Sequence, residues 1–111
     1  MNNIDPKASE GAKKTQLHLL PPVAMAEAAK AHQQGAEKYG PFNWRKTNVC
    51  TSTYISAIMR HLDLWRDGED LAPDSGVSHL GHIIASANIL LDAANCGTLV
   101  DDRAKMPYKT K

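Results

Sequence analysis

The sequence predicts an all-α fold, a small helical bundle built on three main helices. Two segments place apolar residues at i, i+3, i+4 and i+7, the period of one helix face. A third is alanine-rich and opens on paired prolines, which suit a first helical turn. No run alternates apolar and polar residues strictly, and none carries the Asn-Gly or Asp-Gly turn of a hairpin. A chain of 111 residues has room for one domain. Three helices of roughly 16–20 residues make its core thin.

Residues 1–14 are polar, carry Pro6, Gly11 and three lysines, and read as a disordered arm. Leu19-Leu20-Pro21-Pro22 is expected to staple the chain onto the bundle. The first helix begins at Pro21-Pro22, runs through the alanine-rich stretch to Ala31 and beyond, and stops near Gly40, a natural C′ residue. The second is introduced by Thr51-Ser52-Thr53, good capping residues, and carries Ile55, Ile58, Met59, Leu62 and Trp65 on one face before Gly68 ends it. The third begins around Ser75 to Ser78, places Leu80, Ile83, Ile84, Ala87, Leu90, Leu91 and Ala94 at helical spacing, and closes at Gly97. Met25, Met59 and Trp65 read as core, Cys96 as buried in the last helical turn, and His32 as exposed. One domain thus covers residues 15–103, with a basic tail at 104–111. Ile83 to Leu91 is apolar on more than one face, so a homo-oligomer is expected.

Charge and composition exclude several function classes. Thirteen Lys+Arg against twelve Asp+Glu leave +1, so no strong field draws the chain to nucleic acid or anionic lipid. The longest apolar stretch is broken by Ser86 and Asn88 and is too short for a bilayer. The start, Met1-Asn2-Asn3-Ile4-Asp5, has no basic and then apolar leader. Cys50 and Cys96 are too few for a disulfide scaffold or a four-ligand zinc site, and neither has an adjacent base in sequence. The expectation is a reduced cytoplasm.

Chemistry-bearing residues concentrate between 61 and 82. That fifth of the chain holds five of the twelve acids (Asp63, Asp67, Glu69, Asp70, Asp74) and three of the five histidines (His61, His79, His82). His79 and His82 share a helix face, and antiparallel packing of the second and third helices would bring His61 to the same end. Imidazoles and carboxylates from two facing helices and their loop are how bundles build metal sites. Candidate metal ligands are therefore His61, Glu69, Asp70, Asp74, His79 and His82. The mixed set fits Mn²⁺ best and Mg²⁺ acceptably, and ligation by neutral imidazole should weaken below about pH 6.5. Solvated loop acids beside a polar histidine stripe are the competing reading.

A second constellation runs from Gly35 to Lys46. Phe42 or Trp44 is suited to stacking on a nucleobase, Asn43 to reading its edge, and Lys38, Arg45 and Lys46 to meeting phosphates. A helix C-cap followed by a loop whose Trp plugs the bundle is the alternative.

Leu17-His18-Leu19-Leu20-Pro21-Pro22, then Gly35-Ala36-Glu37-Lys38-Tyr39-Gly40-Pro41-Phe42-Asn43-Trp44-Arg45, resembles the phage and bacterial family of dATP/dGTP diphosphohydrolase domains. The resemblance continues through Ala57-Ile58-Met59-Arg60-His61-Leu62, Trp65-Arg66-Asp67-Gly68-Glu69-Asp70, Ser78-His79-Leu80-Gly81-His82-Ile83 and Leu90-Leu91-Asp92-Ala93, spanning about residues 14–103. It implies a relation to MazG-like all-α pyrophosphatases, which cleave a nucleoside triphosphate between its α- and β-phosphates using Mg²⁺ or Mn²⁺. The purine deoxynucleotides dATP and dGTP are the implied substrates, with dNMP and pyrophosphate as products. The relatives hold metal with Glu-Glu-x-x-Glu and Glu-x-x-Asp. Here no helix carries the first pattern, His79-Leu80-Gly81-His82 has the spacing but not the residues of the second, and Ala72 stands where an acid is expected. On this resemblance Glu69 and Asp70 are the candidate catalytic carboxylates, Glu69 as the general base that orients the attacking water or as a direct metal ligand and Asp70 in support, and Lys38, Tyr39, Asn43, Trp44 and Arg45 are the candidate nucleotide-binding residues. The missing acids keep open an alternative, a phage protein that sequesters a nucleotide or cyclic nucleotide without cleaving it.

Overall fold

The computed structural model describes residues 4–107. Its order is a short α1 (Lys7–Gly11), a 3-10 turn at Leu17–Leu19, α2 (Pro22–Tyr39), a 3-10 turn at Asn43–Arg45, β1 (Val49–Cys50), α3 (Thr51–Arg66), α4 (His79–Cys96) and β2 (Leu99–Val100). The three long helices stand where the sequence places them. α1 falls inside the stretch expected to be a disordered arm, and none of its residues is buried. The tail from 108 onward lies outside the described residues. Among the described residues no helix is long and apolar enough to cross a membrane.

Local chemistry explains most boundaries. Pro22 opens α2, where its missing N–H forfeits no helical bond. Gly40 ends it at φ +91°, a conformation a side chain rarely tolerates. The Ser78 hydroxyl caps α4 by accepting from Gly81 N–H at 2.9 Å. The start of α3 departs from expectation. Thr51-Ser52-Thr53 do not cap it themselves; instead Asp102, 50 residues away, accepts from the Ser52 N–H at 2.8 Å and from its hydroxyl. A carboxylate at this helix end satisfies free N–H groups and meets the positive end of the dipole. Two small extended pairings accompany the helices: β1 and β2 pair in parallel, Val49 with Leu99 and Cys50 with Val100, and Leu71 and Ser78 form an isolated antiparallel bridge.

α4 is the central element and packs against both α2 and α3. His61, late in α3, meets His79 and His82 at the start of α4, while β1 and β2 join the opposite ends, so α3 and α4 run antiparallel. Glu27 lies against Gly81 and His32 against Asn88, so α2 and α4 run in the same direction. The contact between them is made of small residues: Ala28, Ala31, Ala85 and Gly81 are buried, with Val77 beside them. That closeness corrects the expected core. Met25, Met59 (58% exposed) and Trp65 are exposed, as are Leu80 and Leu91 of α4, and Leu19-Leu20 lies open rather than stapled down. Cys96 is exposed rather than buried. Helices touching through alanine and glycine leave no volume between them for long side chains, which are turned to the flanks.

Candidate functional site

The three histidines expected to converge do so. His61 Nδ1 lies 2.8 Å from His79 Nδ1, and the His61 ring stacks on His82 at 4.5 Å with a 9° tilt. His79 is 1% exposed, and its Nε2 meets Glu69 Oε1 at 2.7 Å. Its own backbone N–H bonds the Asp70 carbonyl at 2.9 Å, which pins the acidic loop to the first turn of α4. The loop is closed further by Ala72 N–H on the Val77 carbonyl and Gly76 N–H on the Ala72 carbonyl. Ser75 Oγ accepts from Val77 N–H at 3.1 Å and sits 2.8 Å from His82 Nε2. With one lone pair used by Val77, the hydroxyl keeps a second lone pair and its proton, so it can pair with either tautomer of His82. Burial, then the mutual repulsion of the rings, lowers the pKa of His61, with Asp74 opposing; burial also lowers that of His82, again against Asp74. Both effects favour neutral imidazoles.

A second feature lies beside this cluster. A cleft of about 920 Å³ runs between α2, the Asn43–Arg45 turn and α4. Its walls include Lys38, Tyr39, Asn43, Trp44, His32, Asn88 and, at one end, His82. Phe42 stands at its rim at φ +54°, strained for a residue with a side chain. Its ring lies 5.4 Å from that of Trp44, which lies 5.6 Å from His32. The turn is held to α4 by Asp92, whose Oδ2 accepts from Trp44 Nε1 at 2.6 Å and Arg45 Nε at 2.7 Å, and whose Oδ1 accepts from Arg45 Nη2 at 3.0 Å. The Arg45 guanidinium, and next the Trp44 indole, hold the Asp92 carboxyl down at about 2.

Over residues 5–103 the chain matches the family model described as dATP/dGTP diphosphohydrolase, N-terminal. It belongs to this family. No curated protein and no solved structure matches it.

Within this family member, the expected site residues separate into two groups. His61, His79, His82 and Glu69 come together as a hydrogen-bonded and stacked cluster, with the charge of Asp74 close enough to act on His61 and His82. They do not surround one point. The nitrogens of His61 and His79 face each other, and among the described residues no three His, Cys, Asp or Glu side chains are arranged to hold one ion. As placed, the set does not fit a three-ligand metal cage. Asp70 contributes its carbonyl to the cluster, and its residue is exposed. Glu69, expected to act as general base or ligand, is engaged with His79. Lys38, Tyr39, Asn43 and Trp44 all line the cleft. Arg45, expected on phosphate, is committed to both oxygens of Asp92 and lies 4.5 Å over the Phe42 ring. Its placement is that of a group that positions the turn.

Sequence reading missed Asp92, Ser75, Asn88 and His32. His32 is half-buried and paired with Asn88 at 3.1 Å, not exposed. A signal for Asp92 was present: it is the only acid in α4, which contains no Lys or Arg, so any cation that pairs with it comes from another element.

Proposed function

We propose that the protein is a purine deoxynucleoside triphosphate diphosphohydrolase that seats the base in the cleft and cleaves at the histidine end, releasing dNMP and pyrophosphate. The observation that carries this reading is continuity. His82 is a wall of the same cleft that Trp44, Asn43 and Lys38 line, so one ligand can reach the aromatic end and the imidazole cluster together. The volume lies within the range of small-molecule sites. Phe42 and Trp44 offer ring faces for a base, and Asn43 and Asn88 offer amide donors and acceptors for its edge. Lys38, whose charge is felt by His82, and the His82 imidazole are the donors for phosphate oxygens.

Mg²⁺ or Mn²⁺ stays part of the proposal in a modified form. Mg²⁺ is commonly bound through substrate phosphates and one or two carboxylates rather than by a protein cage, and Asp74 and Asp70 supply carboxylates on the loop at this end, Glu69 being engaged with His79. Such an ion would neutralise charge on the phosphates. The exposed Leu19, Val23, Met25, Met59 and Leu91 support a homo-oligomer; light scattering at micromolar concentration that finds a stable monomer would dismiss it.

The departure from the acidic pattern of the pyrophosphatases favours a second reading, sequestration of an uncleaved nucleotide. One experiment separates the two. Protein is incubated with dATP or dGTP and Mn²⁺ or Mg²⁺, and the products are resolved. Pyrophosphate with dNMP is the expected result; tight binding with intact nucleotide recovered supports sequestration, and no binding overturns both.

A further inference from the structure

The cluster contains a relay whose proton positions follow from its hydrogen bonds. A carboxylate only accepts, so the 2.7 Å contact between Glu69 Oε1 and His79 Nε2 places a proton on that nitrogen. In a neutral imidazole the other nitrogen is then an acceptor, and His79 Nδ1 faces His61 Nδ1 at 2.8 Å. With His79 neutral, His61 donates there, which leaves its Nε2 bare. His79 is wholly enclosed, so water cannot substitute for either partner. His61 Nε2 has no hydrogen-bond partner among the described residues, where no buried side-chain nitrogen or oxygen lacks one, so this nitrogen reaches solvent. Its ring is stacked flat on His82, a wall of the cleft.

We propose that Glu69 and His79 act as positioning residues that hold His61 in its Nδ1–H form, and that the bare His61 Nε2 is the proton acceptor for the water attacking the nucleotide. This rests on the hydrolytic reading of the cleft. Water oxygen forms the new bond to the α-phosphorus as its proton passes to His61 Nε2. The bond from that phosphorus to the α,β-bridging oxygen breaks, and pyrophosphate leaves with the electron pair. The imidazolium, stabilised through His79 by the Glu69 charge, then returns its proton to solvent. Glu69 is thereby moved from general base to the group behind the base.

The test has a spectroscopic arm and a kinetic arm. Long-range ¹H–¹⁵N spectra of the full chain at neutral pH are expected to show His79 protonated on Nε2 only and His61 on Nδ1 only. In Glu69→Ala, His61 is expected to relax toward the Nε2–H form. A doubly protonated His79, or a wild-type His61 carrying its proton on Nε2, overturns the relay. In the kinetic arm His61→Asn keeps an amide donor for His79 but has no nitrogen at the Nε2 position. Turnover of dATP and dGTP should fall by about 10²–10⁴-fold with little change in KM; turnover within threefold of wild type overturns the base assignment while leaving the proposed hydrolysis intact. If wild-type protein releases no pyrophosphate, the hydrolytic reading and the base role fail together, and the spectra alone decide whether the relay sets the tautomer.

Discussion

Gly81→Ala tests the geometry that brings α2 and α4 close enough to share the cleft. A β-carbon at position 81 would lie 2.7 Å from the Glu27 carbonyl oxygen, 3.0 Å from its carbonyl carbon and 2.9 Å from Ser78 Oγ. Two of these atoms are backbone of the facing helix, so α2 must withdraw by several tenths of an ångström, loosening the packing of Ala31 against Val77 and Ala85. Overpacking of this kind costs about 1–3 kcal/mol. Displacing Ser78 Oγ from the Gly81 N–H adds about 1 kcal/mol for a damaged cap. Against this, alanine gains about 1 kcal/mol over glycine in a helix interior. The net expectation is a loss of about 1–3 kcal/mol, and each kcal/mol lowers Tm by about 4–8 °C in a domain of this size. Gly35→Ala is the control: it also lies in a helix, its β-carbon would meet nothing within 4 Å, and it should gain about 0.5–1 kcal/mol. Urea denaturation followed by circular dichroism, at one protein concentration for all three chains, measures both. A Gly81→Ala protein as stable as wild type would refute the close-approach argument.

Asp92→Asn should release the Asn43–Arg45 turn from α4, because the amide cannot accept from Trp44 and both Arg45 nitrogens with the same charge-assisted strength; a red-shifted Trp emission and a Kd for dATP raised several-fold are expected, and unchanged values would remove Asp92 from its anchoring role. Phe42→Asn keeps a residue that tolerates φ > 0 while deleting the ring at the cleft rim, so stability measured by urea denaturation should hold within about 1 kcal/mol as nucleotide affinity in a titration falls about 5- to 100-fold. The lowered pKa values of His61 and His82 mean that the unfolded chain takes up protons first. Their stabilising effect is complete above about pH 6.5 and is lost as pH falls through the folded-state values, so Tm should drop below pH 6.5. The decline should be shallower in His82→Gln. Asp92, held at about 2, adds a separate loss that begins only below about pH 4.

Much of the scaffold was legible in the chain because its signals are local. Pro22, Ser78, Gly40 and Gly97 act on their own turns, and each stands at the boundary that its backbone chemistry implies. Which residues those helices would bury was not legible. A stripe of Leu80, Leu90 and Leu91 reads as core by periodicity, yet Ala28, Ala31, Gly81 and Ala85 take the contact, because the interhelical distance is set by both helices at once. The site divides in the same way. The gathering of His61, His79 and His82 followed from their spacing and one antiparallel turn. That they bond to one another, with Glu69 behind His79, depends on side-chain directions across two helices and a loop.

Helix placement, the acidic and imidazole-rich end, and the family were determined by the sequence alone, through spacing, capping and motif order. Tertiary structure decided the partners: Asp102 on the start of α3, Asp92 on Trp44 and Arg45, and His61 on His79. Each of these pairs joins residues that are distant in the chain, at most 50 positions apart. A hydrogen bond is directional and short-ranged, so periodicity along one helix can name the face a group lies on but not the atom it will meet.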